Sequence, residues 1–353
     1  MTDVWHGIHG HGEVVEKFRR AIGRKRLASS FLFAGPVGIG KRTFALKLAQ
    51  ALLCTERPEE ALDPCETCPS CTMALAGTHP DVDVAGKPAD KSFIPVETFL
   101  GDREHRGREG LCHRIGLKPF MGGRKIAIID DADFLNAEGA NCLLKTLEEP
   151  PPRSTLILIG TSPAKQLPTI RSRCQLIRFR PLATDVVAEL LTSTGLVRDP
   201  AEARRLARYS EGSVQRAMEL ADPELWSFRG TLLERLSAPI LSGAATAQAV
   251  SAFVDEAGKD APPRRSRLRQ IVAFAADFYR QMLYARSGGQ LSDDPDLRQI
   301  LLQAAQRWPG DAAAAATCLE LCLRTAEEID RNANQATLIE AWMDSLAGGR
   351  IAN

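Results

Sequence analysis

A short apolar run that ends in two acids constrains the fold of this chain more than any other feature of its sequence. The run is Ile126–Ile129, and Asp130 and Asp131 follow it directly. Continuous β-branched stretches of this kind are typical of parallel strands buried on both faces. Two similar runs, Ser30–Phe33 and Thr155–Ile159, are closely followed by glycine. Because sequence with helical periodicity separates the runs, we predict an α/β P-loop core whose strand ends face one ligand.

The Ser30–Phe33 run leads into a glycine-rich segment, GPVGIGK, that matches the first seven positions of a phosphate-binding loop. The residues expected to contact phosphate, through backbone N–H groups or the lysine, are Gly35, Gly38, Gly40 and Lys41. The eighth position, which should carry a Mg²⁺-binding hydroxyl, holds Arg42. Thr43 comes one residue late, about 100° further round a helix. A glycine-rich turn without a nucleotide is the alternative; we favour nucleotide binding (ATP or ADP with Mg²⁺) without efficient hydrolysis.

The acids after Ile126–Ile129 occupy the position of the acidic motif in ATPases of this kind. Asp130 would hold Mg²⁺ through water, and the next residue, usually Glu, would activate the attacking water. Asp131 is one methylene shorter than Glu, so it is a weak candidate for the catalytic base. Asp133 is a candidate helix N-cap. Together with Arg42, the short side chain of Asp131 predicts a poor motor.

Four of the nine cysteines are grouped and predict a metal site. They are Cys54, Cys65, Cys68 and Cys71. Disulfides are rare in cytosolic chains, whereas four thiols at such spacing are the ligands that a structural Zn²⁺ requires. Since four thiolates close the coordination shell, the predicted zinc is structural and not catalytic. The alternative is that all four are small core residues.

Length and charge limit the classes of protein to which the chain can belong. At 353 residues it is long enough for two or three domains. Its 45 basic and 44 acidic residues give a formal charge of +1, whereas a chain that bound DNA alone through a broad basic face would be more basic. No apolar run approaches the length of a membrane span, and residues 1–6 lack the features of a signal peptide. We therefore expect a cytoplasmic location.

Helical periodicity and the positions of prolines predict three parts. An α/β core spans residues 1–180 and contains the cysteine module at about 54–71. A compact helical subdomain spans residues 181–221, and residues 222–353 are expected to be all helix. Within that last part we expect a loop at Ala257–Arg265, where two prolines are adjacent.

Three stretches of the chain are similar to the clamp-loader family of bacterial DNA polymerase III, most closely to its delta-prime branch. They are Ala76–Asp81 after the cysteine cluster, Asn141–Pro151 and Thr169–Cys174. The resemblance extends over about residues 8–220 and is only architectural beyond them. It implies an AAA+ core with a zinc-binding module, followed by a small helical lid and a helical collar through which subunits assemble.

The resemblance also gives roles to single residues. From spacing alone, Arg173 is a surface arginine in an ion pair. In clamp loaders, however, the arginine of the Ser-Arg-Cys motif reaches the ATP of a neighbouring subunit and stabilises charge on its γ-phosphate. The resemblance therefore implies a trans arginine finger at Arg173. Thr161 falls at the first sensor position, and Gln215, with Arg216 beside it, falls where active motor subunits carry the arginine of the second sensor.

The implied function is that of a delta-prime-like clamp-loader subunit. Such a subunit assembles with gamma/tau and delta subunits and helps to load the sliding clamp on primer–template DNA. It belongs to a DNA-directed DNA polymerase, a nucleotidyltransferase, but has no polymerase site and weak or absent ATPase activity. The alternative is a gamma/tau-like motor that hydrolyses ATP itself, against which Arg42, Asp131 and Gln215 argue. A third class, a stand-alone zinc-bearing DNA-binding module, is disfavoured by the near-zero net charge.

Overall fold

The computed structural model describes residues 4–350 with three gaps, at residues 89, 122 and 293; for residues 295 and 296 it describes the backbone alone. The chain divides into two compact units, Met1–Ala221 and Asp222–Asn353. Each unit has buried apolar residues of its own. Among the described helices, none combines the length and the apolar character that a bilayer span requires.

The first unit is built on a five-stranded parallel sheet. Its strands are β3 (Ser30–Ala34), β4 (Val82–Ala85), β5 (Lys125–Ile129), β6 (Ser154–Gly160) and β7 (Gln175–Arg178), and a separate antiparallel pair upstream consists of β1 (Val4–Trp5) and β2 (Ile8–His9). The strand order across the sheet is β4–β5–β6–β3–β7. The predicted parallel α/β core is therefore confirmed, and the three apolar runs lie side by side within the sheet.

The central strands are buried on both faces, which explains their unbroken apolar sequence. In β3 the side chains alternate between two cores, with Phe31 and Phe33 on one face and Leu32 on the other. Phe44 belongs to the first core and Leu143 to the second. Full burial of each such side chain contributes about 1.5–3 kcal/mol. The sheet is thus held between two layers of helices.

Helices cover both faces of this sheet and continue beyond its last strand. They are α1 (Gly12–Gly23), α2 (Lys41–Leu53), α3 (Pro69–Ala76), α4 (Glu97–Leu100), α5 (Leu111–Gly116), α6 (Ala137–Glu148), α7 (Pro168–Arg171), α8 (Thr184–Ser193), α9 (Pro200–Tyr209) and α10 (Val214–Glu219). Helix α2 begins directly after the glycine-rich loop, and α3 follows the cysteine-rich segment. Helices α8, α9 and α10 pack on one another after the last strand.

The described part of the second unit is helical. Its helices are α11 (Pro223–Ser237), α12 (Gly243–Asp255), α13 (Ala261–Ser287), α14 (Pro295–Arg307), α15 (Ala312–Asp330) and α16 (Gln335–Gly349). Helices α13 and α15 pack together, and their buried residues include Phe278, Met282 and Cys318. The loop expected at Ala257–Arg265 is wrong in its second half, because α13 begins at Ala261. Its two prolines lie in the first turn, where no intrahelical N–H bond is lost.

Candidate functional site

The glycine-rich loop joins β3 to α2 at the carboxyl edge of the sheet. Gly38 and Gly40 have φ angles of 73° and 94°, in the left-handed region that favours glycine. A side chain at Gly35 would collide with the backbone, because its Cβ would lie 2.4 Å from the carbonyl oxygen of Phe179. The conformation of the loop therefore depends on glycine at all three predicted positions.

Lys41 folds back over this loop from the first turn of α2. Its ammonium group donates hydrogen bonds to the carbonyl oxygens of Gly35 (2.7 Å) and Pro36 (2.5 Å). Burial lowers the pKa of the Lys41 amine, and the carboxylate of Asp130 opposes this shift most strongly. The lysine is thus held against the loop, with Asp130 as the principal negative charge that acts on it.

Asp130 and Asp131 follow the carboxyl end of β5, as predicted. The Oδ1 atom of Asp130 accepts a hydrogen bond from the N–H of Asp131 (3.0 Å), and its Oδ2 atom lies 3.6 Å from Nη1 of Arg42. Asp131 is exposed and has a φ angle of 56°, which is uncommon for a residue with a side chain. Thr43 is exposed on α2. A guanidinium, and not a hydroxyl, therefore faces Asp130.

Thr161, the predicted first sensor, is bonded to Asp133. Its N–H donates to Oδ2 of Asp133 at 2.8 Å, and its hydroxyl donates to the same oxygen. The side-chain amide of Gln166 donates to Oδ1 of Asp133 at 2.7 Å. The interpretation of Asp133 as a helix N-cap is wrong, because Asn136 caps α6 by accepting the N–H of Gly139. Asp133 instead fixes the position of the Thr161 hydroxyl.

The N-terminal end of α10 packs directly on the glycine-rich loop. The N–H of Val214 donates to the carbonyl oxygen of Gly38 at 3.0 Å. A Cβ atom at Gly38 would lie 2.3 Å from Oγ of Ser213 and 2.5 Å from Cβ of Gln215. The side-chain amide of Gln215 donates to Glu219 on its own helix at 3.1 Å. The residue at the predicted second sensor position therefore lies against the loop, but with a neutral side chain.

The four predicted metal ligands come together beside the C-terminal end of α2. Their Sγ atoms all lie within 4.8 Å of one another, and those of Cys65 and Cys71 are 4.0 Å apart. Four Zn–S bonds of about 2.3 Å in a tetrahedron separate the sulfurs by about 3.8 Å. Cys54, Cys65, Cys68 and Cys71 therefore form a cluster that could hold a metal ion of this size.

Backbone amides within the cluster favour the thiolate forms of two cysteines. The N–H of Cys68 donates to Sγ of Cys65 at 3.3 Å and lowers the pKa of that thiol. Burial alone would raise the pKa of Cys68, but hydrogen bonds from Thr55 and from the N–H of Cys71 outweigh it and lower the pKa to about 6. Burial raises the pKa of Cys71, whose side chain is fully enclosed. A cation among the sulfurs would offset this cost of burial.

A buried polar network, which spacing did not predict, ties the cysteine module to the sheet. The hydroxyl of Ser70 donates to the carbonyl oxygen of Leu53 at 2.6 Å. Nδ1 of His79 accepts the N–H of Asp81 at 3.0 Å, so the ring proton lies on Nε2 and points at the Ser70 oxygen, 2.9 Å away. Burial lowers the pKa of His79, which keeps the ring neutral. The Thr-His-Pro-Asp motif therefore has a structural role at this point.

Arg173 lies at the amino ends of the strands, whereas the glycine-rich loop lies at their carboxyl ends. Strands β7 and β3 are parallel, with Gln175 beside Phe31, so Arg173 precedes the amino end of β7 whereas the loop follows the carboxyl end of β3. The five residues of β3 span about 16 Å. The Arg173 guanidinium donates to the carbonyl oxygen of Thr169 at 2.9 Å and pairs with Glu148. Its side chain is therefore remote from the loop of its own chain.

Residues 10–183 match a family model described as "DNA polymerase III, delta subunit". Through this region, which is just under half of the chain, the sequence is similar to subunits of DNA polymerase III. DNA polymerase III subunit delta' of Pseudomonas aeruginosa is 37% identical over 199 residues, which are 56% of this chain and 57% of that protein. The delta' subunit of Bacillus subtilis is 33% identical over 59% of this chain and 58% of its own length. The chain therefore spans less than two thirds of the length of these relatives.

More remote matches include a tau subunit and solved structures. The tau subunit of Bacillus subtilis is 27% identical over 67% of this chain and 40% of its own length. A gamma subunit-related protein of Thermotoga maritima aligns with 95% of this chain and 99% of that chain, at 17% identity and a TM-score of 0.38. RuvB of the same organism aligns with 84% of this chain and 88% of its own chain, at 18% identity and a TM-score of 0.38. From scores this low we draw no conclusion.

The structure brings some of the predicted site residues together and separates others. Lys41, Arg42 and Asp130 are neighbours at the glycine-rich loop, the four cysteines form one cluster, and Arg173 stands apart. Two partners were missed although their motifs were noted: Asp133, which holds Thr161, and Glu148, which pairs with Arg173. The packing of α10 on Gly38 left no signal in the sequence, because a local pattern does not reveal which distant segment meets a loop.

Proposed function

We propose that this chain is a delta-prime-like subunit of a DNA polymerase III clamp loader, and that it supplies Arg173 in trans to the ATPase site of a neighbouring subunit. The observation that carries this proposal is the position of Arg173 on the amino edge of the sheet, with its own glycine-rich loop on the other edge. An arginine there has no role at its own nucleotide site. It is exposed at the surface, where a neighbour's γ-phosphate could be reached.

The chain's own site supports little or no hydrolysis. Arg42 replaces the hydroxyl that would bind Mg²⁺, and its guanidinium pairs with Asp130. Asp131, in the position of the catalytic base, is exposed and short. Gln215 brings a neutral side chain to the loop where a motor would place arginine. Since hydrolysis needs the metal, the positioned water and the cationic sensor together, three simultaneous departures favour a supporting role over a motor role.

Arg173 would exchange one anionic partner for another on assembly. In the chain by itself the guanidinium is paired with Glu148, and both side chains are substantially exposed. Exposed ion pairs contribute only about 0–1 kcal/mol, so a triphosphate with several negative oxygens would displace the Glu148 carboxylate. Until then the guanidinium is held in place by this ion pair and by the hydrogen bonds that it donates to Thr169 and Ser172.

The remaining parts of the proposal follow from the family. The core at 1–180 and the lid at 181–221 would form the subunit interface, and the collar at 222–353 would join gamma/tau and delta subunits. The complex would act on the sliding clamp at primer–template DNA in the cytoplasm. The four cysteines would hold a structural Zn²⁺, which keeps α2 and α3 together and takes no part in hydrolysis.

A gamma/tau-like motor is the second candidate, and the intact glycine-rich loop favours it. Gly38, Gly40 and Lys41 retain the backbone conformation and the cation that a triphosphate requires. The two candidates differ in which residue controls turnover. A motor depends on its own Lys41, whereas a trans-acting subunit depends on Arg173.

A Lys41→Ala variant of this subunit, built into a reconstituted loader, separates the two candidates. We expect DNA-stimulated ATP turnover to stay within about twofold of the wild-type loader, because hydrolysis takes place on other subunits. Lys145→Ala, at an exposed lysine of α6, is the matched control. Loss of most of the turnover with Lys41→Ala alone would establish the motor function and overturn our proposal.

A further inference from the structure

We propose that the glycine-rich loop binds ATP or ADP without Mg²⁺, and that the guanidinium of Arg42 supplies the positive charge that the metal ion supplies in a motor subunit. This inference goes beyond the proposed function, which does not require the loop to bind nucleotide. It adds the form of the ligand, a metal-free nucleoside polyphosphate, and a residue that determines this preference.

The residues at the metal position do not fit Mg²⁺. A phosphate loop holds the ion through a hydroxyl at its eighth position, while an acid after the neighbouring strand holds it through water. Here the eighth position is Arg42, and Nη1 of this residue lies 3.6 Å from Oδ2 of Asp130. Thr43, the nearest hydroxyl along α2, is exposed and one residue out of phase. A cation therefore already lies beside the acid that would attract the metal.

The other acids near the loop do not restore a metal site. Asp133 is committed to the N–H and hydroxyl of Thr161 and to the amide of Gln166. Asp131 is exposed and has a left-handed backbone conformation. Mg²⁺ requires near-octahedral oxygen ligands at close range, and of the described acids near the loop only Asp130 and the exposed Asp131 remain to offer them. Repulsion between the arginine and a divalent cation disfavours Mg²⁺ binding further.

The same arrangement suits the phosphates themselves. The N-terminal end of α2 presents backbone N–H groups to an anion, and Lys41 and Arg42 are the first two residues of that helix. Guanidinium groups bind phosphate through paired hydrogen bonds, which an ammonium group does not provide. The Arg42 side chain is 60% exposed and its contact with Asp130 is long, so it is free to turn towards a bound phosphate. The loop thus has two cations and needs no third.

Calorimetric titration of the full chain with ATP and with ADP, in Mg²⁺-free buffer and with excess Mg²⁺, tests this inference. Mg²⁺ is omitted and not chelated, because a chelator would also attack the cysteine cluster. For the wild-type protein we expect dissociation constants that agree within about twofold between the two buffers. For Arg42→Ser, which restores the hydroxyl, we expect binding at least about tenfold weaker without Mg²⁺ and recovery when it is added.

The controls locate the binding and separate this inference from the proposed function. Lys41→Ala should abolish binding, and Arg26→Ser, at an exposed arginine outside the site, should behave as the wild type. The inference would be overturned if the wild-type protein bound nucleotide only with Mg²⁺. It would also be overturned if Arg42→Ser bound nucleotide and the wild-type protein did not, because Arg42 would then block the loop. Absence of binding in every variant would also overturn it, yet would leave the trans role of Arg173 intact, because that role does not involve this loop.

Discussion

The carboxylate of Asp81 is fully buried between three hydrogen-bond donors. The N–H groups of Phe120 and Met121 donate to it at 2.7 and 2.9 Å, and the Lys125 ammonium lies 3.1 Å from it. This single residue joins the start of β4 to the segment before β5. Because Lys125 is itself almost completely buried, removal of the negative charge would leave an unpaired cation in the interior, which is strongly unfavourable.

We expect Asp81→Asn to lower the free energy of unfolding by about 3 kcal/mol or more, since it breaks a buried ion pair from one side. Urea denaturation followed by circular dichroism measures this change. Asp83→Asn, two residues further along the chain and within β4, is the matched control. Its carboxylate is largely buried, but its partner is the exposed guanidinium of Arg114, so the change leaves no buried cation unpaired and a smaller loss, of about 1 kcal/mol, is expected there. Equal losses for the two variants would contradict the assignment.

The pH dependence of stability should identify the same carboxylate. Burial raises the pKa of Asp81, but the N–H groups of Met121 and Phe120 and the Lys125 ammonium outweigh it, so the pKa in the folded protein is lowered. A carboxyl group of this kind stabilises fully above its unfolded pKa of about 3.9 and progressively less as the pH falls through its folded pKa. The difference in unfolding free energy between wild type and Asp81→Asn should therefore be constant above about pH 5 and shrink in acid. A difference that persists in acid would exclude this origin.

The cysteine module is a separate element, held to the sheet by Ser70 and His79. Helices α2 and α3 pack on each other, and the four cysteines of α3 and of the segment before it have sulfurs that lie close enough for one metal ion. A metal ion that binds four thiolates contributes directly to folding, because the site does not exist in the unfolded chain. The stability of this element should therefore depend on metal, while that of the sheet should not.

Substitution of one ligand tests the metal site. We expect the wild-type protein to contain about one Zn²⁺ per chain, and Cys71→Ser to lose it and to become susceptible to proteolysis between residues 54 and 76. Metal analysis and limited proteolysis measure the two effects. Cys112→Ser, at a half-buried cysteine outside the cluster, should keep the metal. A metal-free wild-type protein that is equally resistant to protease would remove zinc from this account.

At the element scale, the sequence predicted what depends on local pattern and missed what depends on distant contacts. The central strands are recognisable because a parallel strand that is buried on both faces has a continuous, β-branched apolar sequence. The two prolines near the start of α13 were taken for a loop, although proline is also favoured in the first turn of a helix. Asp133 was taken for a helix cap because its partner, Thr161, is 28 residues away. Helices α4 and α5 are too short to produce a periodic signal.

At the scale of the whole molecule, the chain consists of two units, each with a core of its own. The first encloses the sheet between two apolar clusters, and the second is a helical assembly with a buried ion pair between Arg229 and Asp294. The boundary falls at Ala221, just before the proline that opens α11. Domains with separate cores are in general able to fold alone.

We therefore expect a chain that ends at residue 221 to fold without the second unit and to retain its metal. A single cooperative thermal transition, together with a zinc content equal to that of the full chain, would support this. The same truncation should prevent assembly with other loader subunits, because the proposed collar is missing. Size-exclusion chromatography of the mixture measures that effect. A truncated chain that aggregates, or that still assembles, would contradict the proposed division of roles.

The central claim is that this subunit acts on its neighbour's nucleotide through Arg173, and DNA-stimulated ATPase activity of a reconstituted loader tests it most directly. Arg173→Ala in this subunit alone should reduce hydrolysis at the neighbouring site by about 10³-fold, the order expected for loss of an arginine finger, with assembly unchanged. Arg171→Ala, at an exposed arginine two residues away, is the control and should have the turnover of the wild type. Wild-type turnover with Arg173→Ala would reduce this residue to the surface partner of Glu148 and would contradict the account.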